Sequence, residues 1–276
     1  MMIRLENIGF LRRVTLPVLR RLKIGDIQIK HHWTKAPLTL DFFRHKGYWY
    51  HGRRREQETM DLFAALLRPG DFAVEVGAHI GYVSLYLAHL VGPGGKVLVF
   101  EPAPDNLKYL RRNTVGIPAI SIVESAVTDY TGTARFHVET LTGQNNSLLD
   151  DYAVRKANED FAYAGPTPDV VMEVPCTRLA DHLEQAGLPS PALIKIDVEG
   201  AEYSVLRGMS RTLELGSPAL MVEVSEQSTK VLGLLREAGY SLFLENKQEL
   251  EGDLLPGSMC NIFAVKPGDQ RIAHFR

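Results

Sequence analysis

The chain has little sulfur, little tryptophan and little net charge: two cysteines, two tryptophans and a balance of −2 among 276 residues. It also has no window near the roughly 18 consecutive apolar residues that a membrane-spanning helix needs. Cys176 and Cys260 lie far apart, each at the end of an apolar run, which suits free thiols and not a disulfide framework. Neither has the spacing of a zinc ligand, and no internal repeat or low-complexity tract is present. The first residues alternate Arg with apolar side chains but lack a signal-peptide core and a small-residue cleavage site, so the expected location is cytoplasmic.

What remains is an ordinary globular composition, 45% hydrophobic and 23% charged, enough for one main domain with a full core. The small net charge conceals an asymmetry. Residues 1–55 hold 13 Lys/Arg against three acids, and the rest of the chain holds 18 bases against 30 acids. Residues 1–55 therefore form a basic extension, residues 56–266 the domain and residues 267–276 a tail. The extension either touches a membrane surface or an anionic glycan, or packs on the acidic body or on a second copy in a homodimer. Pro17 breaks "RRVTLPVLRRLK", so no long amphipathic helix is expected there; a nucleic-acid partner is not expected.

From about residue 70, strand-length apolar runs alternate with helical patterns. The runs 72–76, 96–100, 120–124, 192–197 and 219–224 are rich in Val and Ile, as strands buried on both faces should be. Helices are expected over 81–91, 104–113, 177–187 with Thr177 as cap, 201–214 and 226–238. This is the rhythm of a doubly wound, mostly parallel α/β sheet. "YSLFLE" and "NIFAVK" follow one another without a helix and form an antiparallel pair that closes the sheet. Residues 129–140 alternate like an edge strand, and 141–170 is long and polar, either a lid or a disordered segment.

The turn "VEVGAHIG" (74–81) lies between the first strand and its helix, where a nucleotide-like ligand is seated. A dinucleotide needs a middle glycine for its pyrophosphate, and here that place is His79. S-adenosylmethionine has no phosphate and carries two positive charges, so Glu75 at the strand end is electrostatically sensible. Glu101-Pro102, 24 residues beyond Gly77, places a carboxylate for both ribose hydroxyls, which either ligand would require. Gly77, Ala78, His79 and Gly81 form the turn. Ser125 and Ala126 line the adenine, with Glu124 as acceptor for its amino group.

"VEVGAHIGYVSL", "GKVLVFEPAPDNLKYLRRN", "ESAVTDYTGTARF", "LIKIDVEGAEYSVLRGM" and "ALMVEV" together resemble the FkbM family of S-adenosylmethionine-dependent O-methyltransferases, over roughly residues 56–266. The resemblance implies a class I (Rossmann-like) methyltransferase fold with the seventh strand antiparallel, and methyl transfer to a hydroxyl, often on a sugar or polyketide. The family usually has Asp where this chain has Glu75, and Asn where it has His79. The competing readings are an NAD-dependent oxidoreductase or epimerase and a non-catalytic surface adaptor; the first lacks its phosphate-seating glycine, and the second leaves the strand-end acids idle.

Methyl transfer to an alcohol needs positioning and removal of a proton. Asp197, Glu199, Glu202 and Glu223 follow the carboxyl ends of the fourth and fifth strands of this series. Asp197 is either a general base, its proton affinity raised by Glu199 or Glu223, or a ligand with Glu223 of a divalent ion such as Mg²⁺. Glu202 is read equally as a support for the helix start and Glu199 as the partner of a nearby base. Lys195 is expected to point away from Asp197, in a salt bridge beneath the site. His79 is either a base facing the cofactor or a ring packed over the turn. Gln144, Asn145, Asn146 and Ser147 suit hydrogen bonding to a polyhydroxylated acceptor.

Overall fold

Strands buried on both faces need helices over both faces, and the chain supplies them in alternation. The computed structural model describes residues 21, 24–139, 143–150, 152 and 170–276. A hairpin, β1 (Asp26–Lys30) and β2 (Pro37–Asp41), precedes α1 (Lys46–His51), a 3-10 turn (Gly52–Glu56) and α2 (Gln57–Leu66). Then come β3 (Phe72–Val76), α3 (Tyr82–Val91), β4 (Lys96–Phe100), α4 (Pro104–Thr114), β5 (Ile120–Val123), β6 (Ala126–Val127), β7 (Gly132–Val138) and β8 (Val170–Thr177). The remainder is α5 (Leu179–Gln185), β9 (Leu193–Ile196), α6 (Glu202–Gly208), α7 (Ser210–Leu215), β10 (Ala219–Val224), α8 (Ser228–Glu237), β11 (Ser241–Leu244) and β12 (Cys260–Val265). None of these helices is long and apolar enough to cross a membrane.

Seven strands form the central sheet in the order β11-β12-β10-β9-β3-β4-β5. Six run in one direction, and β12 alone is reversed, pairing antiparallel with both β10 and β11. The doubly wound class I architecture with an antiparallel closing pair is therefore present. Strand periodicity divides the core between the two faces. Val74, Val76, Ile194, Ile196, Val222 and Val224 pack with α5 to α8 on one face. Ala73, Leu193, Ala219 and Met221 pack with α2, α3 and α4 on the other. Continuing that second, odd-numbered set puts buried Glu75 and Lys195 and half-buried Glu223 on the α2–α4 face, where polar groups out of solvent signal a site and not a core.

Several local expectations need correction. The edge strand near 129–140 is β7, but it borders a separate sheet of order β6-β8-β7. β8 interrupts the segment expected to be a helix from Thr177: that residue ends the strand, its hydroxyl bonds Arg178 O, and α5 is capped at Arg178 instead. The helix expected over 201–214 breaks at Met209 into α6 and α7. A Cβ on Gly208 would lie 2.0 Å from Thr128 O, so the break sits where the helix meets neighbouring backbone. Both cysteines are free, Cys176 buried and Cys260 partly so.

The described part of the basic extension lies against the domain. Tyr109 and Arg112 on α4 bond Asp26 at 2.6 and 3.0 Å. Asn113 exchanges hydrogen bonds with the backbone of Thr39 at 2.8 and 3.0 Å. Leu38, Leu40 and Tyr48 are buried in the α2–α4 core. The "RRVTLPVLRRLK" segment expected to touch an anionic surface lies outside the described residues except for Arg21, as do 141–142, 151 and 153–169 of the expected lid.

Candidate active site

A cleft opens at the carboxyl ends of β3, β4, β9 and β10, over the α2–α4 face. Its first wall is the glycine turn. Gly77 takes φ +83°, and a Cβ there would lie 1.8 Å from Asp197 O, so the turn rests directly on the end of β9. Gly77 and Ala78 donate to Phe100 O at 3.0 and 3.2 Å. His79 also has positive φ, +52°, a conformation that Asn tolerates better than most residues. Gly81 is not on the cleft wall; a Cβ there would meet Leu110 at 2.8 Å, so it serves helix packing and not the ligand.

Glu101 is buried and ties the turn to the second strand. It accepts from His79 N at 2.8 Å, Ala103 N at 2.9 Å and Asn106 Nδ2 at 3.3 Å. Burial pushes its carboxyl up to about 7. Pro102, Ser125 and Ala126 line the same wall. Glu124 does not: it is half-exposed in an ion pair with Arg111, because strand alternation sends it outward against α4.

Glu75 is fully buried, accepts from Ser84 Oγ, and is pushed up to about 7 by burial. Its Oε1 has no hydrogen-bond partner and lies 3.7 Å from Lys195 Nζ. An orphaned carboxylate oxygen on a cleft wall fits a cationic ligand group. His79 Nδ1 pairs with Tyr48 OH at 3.0 Å while Nε2 is orphaned. Burial, with His45 and Arg55 nearby, holds the ring well below the usual imidazole range, so it is neutral.

The second wall gathers the acids. Lys195 shares the parity of Asp197 and does not point away: its Nζ lies 3.0 Å from Asp197 Oδ2 and donates to Gly77 O at 2.8 Å. Burial alone would lower the Lys195 ammonium, but Asp197 and Glu75 outweigh it and hold the charge on. Asp197, Glu199 and Glu223 each place an oxygen within 4.8 Å of the others. Glu223 is pushed well above the usual carboxylate range by burial and by the charges of Asp197 and Glu199. The like-charge proximity expected around Asp197 is present, and it raises the proton affinity of Glu223. Glu199, at φ +54°, is positioned by Tyr152 OH on Oε2 at 3.1 Å and by Ser147 Oγ on its carbonyl at 2.7 Å. Glu202 is off the cleft and accepts from Gly200 N at 2.8 Å, a support for the helix start.

Of the polar loop, Gln144 and Asn146 line the cleft. Asn145 and Ser147 are buried off it, and Ser147 anchors the loop to Glu199. Sequence reasoning missed Tyr48, Arg55, Glu56, Thr59 and Asn261, which also line the cleft. The signal for Tyr48, Arg55 and Glu56 was the aromatic and basic run "GYWYHGRRRE" at the border of the segment treated as an appendage. Asn261 is opposite Glu223 in the β10–β12 register.

Residues 75–242 match the family described as the methyltransferase FkbM domain. The chain is 31% identical to the 31-O-demethyl-FK506 methyltransferase FkbM of Streptomyces tacrolimicus, over 65% of this chain and 76% of the relative. It is 26% identical to the 2-O-methyltransferase NoeI of Sinorhizobium fredii, over 70% and 82%. It is 25% identical to the hexuronic acid methyltransferase AglP of Haloferax volcanii, over 58% and 59%.

Proposed function

Since the chain belongs to the FkbM family of S-adenosylmethionine-dependent methyltransferases, we propose that it methylates a hydroxyl of a sugar-like or polyketide-type acceptor. The names of the relatives support oxygen as the acceptor atom and, for one of them, a hexuronic acid. The observation that carries the reading is the ion pair of Asp197 with Lys195 at the cleft, beside the carboxyls of Glu199 and Glu223.

S-adenosylmethionine supplies a methyl carbon on a sulfonium, so transfer is an in-line displacement in which the C–S bond breaks as the C–O bond forms. Glu75 faces the cationic part of that ligand and Glu101 its ribose. Gln144, Asn146, Thr59 and Asn261 hydrogen-bond the acceptor's other polar groups. Asp197 takes the hydroxyl proton. Lys195 holds Asp197 in place, with the carboxyl of Glu223 beside it. Neutral His79 packs over the turn.

A second reading rests on the grouping of Asp197, Glu199 and Glu223. Three carboxylate oxygens suit a hard ion such as Mg²⁺, which would acidify the bound hydroxyl. Glu199 is the third donor that sequence spacing did not reveal. Lys195 already occupies Asp197 Oδ2, which favours the proton-transfer reading. The acceptor class is tested by following labelled methyl from S-adenosylmethionine into a panel of glycosides and macrolides and locating it by NMR. Methylation of amines or carbon alone would sink it.

Glu101→Gln is expected to weaken S-adenosylmethionine binding by about 30-fold or more, the cost of losing a charge-assisted bidentate contact. The amide must also turn a donor toward His79 N or Ala103 N. Titration calorimetry checks this, and an affinity within about threefold of wild type would move the ribose elsewhere.

Binding should also depend on pH. Glu75 and Glu101 stand near 7 in the folded protein, so each is largely protonated at pH 6. A carboxyl that must lose its proton to meet the ligand weakens affinity as pH falls through its pKa, by up to about tenfold per unit per group, with a plateau above about pH 8. Titration at pH 6 in buffers of different ionisation enthalpy should register proton release, and Glu75→Gln should flatten the slope. A profile flat from pH 6 to 8 would show that neither proton is coupled to binding.

A further inference from the structure

The reactants of this cleft include at least one carboxylate, the α-carboxylate of S-adenosylmethionine, and the ionisable residues of the cleft are mainly acids. Glu56, Glu75, Glu101, Asp197, Glu199 and Glu223 face it, with Lys195 and Arg55 as the cations on the wall. A carboxylate placed among so many like charges is repelled unless a cation offsets them. Lys195 is committed to Asp197 and to Gly77 O. Arg55 is differently placed.

Its Nε donates to Glu56 Oε1 at 3.1 Å, and its guanidinium lies over the Tyr48 ring at 4.8 Å. Gly47 makes room for it: a Cβ at that position would lie 2.2 Å from Arg55 Nη1. Gly47 has no positive φ to explain its glycine, so the missing side chain serves the guanidinium. The plane is thus held by a ring, a bare stretch of backbone and a carboxylate. Among the described residues no hydrogen-bond acceptor pairs with Nη1 or Nη2, and 29% of the side chain stays accessible on the cleft wall. A fixed guanidinium edge with free parallel N–H groups matches a planar carboxylate in two-point contact.

We propose that Arg55 is the carboxylate-binding residue of the cleft. The proposal rests on the reading of this cleft as the S-adenosylmethionine and acceptor site. Two reactants can bring the carboxylate: S-adenosylmethionine itself, or an acceptor of the uronic-acid type. A phosphate dianion fits less well, since it brings a second charge to a wall that already holds Asp197 and Glu199.

The test removes the carboxylate from the ligand and the guanidinium from the protein, separately and together. In the first arm, wild type, Arg55→Gln and Arg55→Lys are titrated with S-adenosylmethionine and with its decarboxylated analogue. In the second, the same proteins saturated with S-adenosylhomocysteine are titrated with 4-nitrophenyl β-D-glucuronide and 4-nitrophenyl β-D-glucoside. In one arm wild type is expected to favour the carboxylated ligand by about tenfold or more, with that preference falling to about twofold or less in Arg55→Gln and partly returning in Arg55→Lys. The arm that responds identifies the source. Wild type already tests the ligand side without any variant, and circular dichroism reports the fold of the variants. No carboxylate preference in either arm, or one that persists undiminished in Arg55→Gln, overturns the proposal. Failure of wild type to bind S-adenosylmethionine at all would instead strike the reading of the cleft.

Discussion

Asp197→Asn is expected to lower turnover by about 100-fold or more while leaving S-adenosylmethionine affinity within about threefold, the signature of losing a proton acceptor and not a binding contact. The amide keeps the size of the side chain and an oxygen for Lys195, 3.0 Å away. It loses the charge that accepts the hydroxyl proton. Single-turnover rates with saturating cofactor measure the effect, and calorimetry measures the affinity. Chelator treatment of wild type separates the two chemical routes. An unchanged rate supports proton transfer to Asp197; loss of rate that Mg²⁺ restores supports an ion held by Asp197, Glu199 and Glu223. Full activity of Asp197→Asn would leave positioning alone as the source of catalysis.

Gly77→Ala is expected to be nearly as damaging for a different reason. The added methyl would lie 1.8 Å from the carbonyl oxygen of Asp197, at a φ of +83° that L residues rarely adopt. The turn or the end of β9 has to move, at a cost of about 3 kcal/mol or more, of which backbone strain is about 1–3. Either movement misplaces Glu75 relative to Asp197, so cofactor binding should be lost together with stability. Gly81→Ala is the control. It has a similar φ of +86°, but its methyl would meet the flexible end of Leu110 away from the cleft. Thermal unfolding and cofactor titration of the pair check the contrast, and a Gly77→Ala protein with wild-type melting and affinity would refute it.

The central sheet was legible because its strands are apolar on both faces and separated by helix-length patterns. Glu75, Glu101 and the acids after β9 and β10 stood out because charge is costly at buried strand ends. What was not legible has particular causes. β8 contains Glu173 and Pro175, and proline within a run argues against an inner strand, yet β8 is the middle strand of its small sheet. Lys195 was set opposite Asp197, although residues two apart on a strand share a face. Arg55 and Tyr48 were hidden because the first 55 residues were weighed by charge, which says nothing of where a 3-10 turn will lie. Glu199 as a third carboxylate depends on its left-handed backbone, which spacing does not encode.

The position of β12 between β10 and β11 has a consequence for the order in which the molecule is completed during synthesis. Strands β3, β4 and β5 and the glycine turn all lie within residues 72–123, so that side of the cleft can assemble early on a growing chain. The edge of β10 has no partner until Cys260–Val265 emerges and inserts beside it. Through that interval β10 offers unpaired backbone and an apolar surface, the features that invite edge-to-edge association of nascent chains. The same insertion delivers Asn261 next to Glu223. A polypeptide halted before residue 260 would therefore hold the glycine-turn side of the cleft beside an open, adhesive edge, and the side that carries Asn261 would close only with the strand that removes that edge.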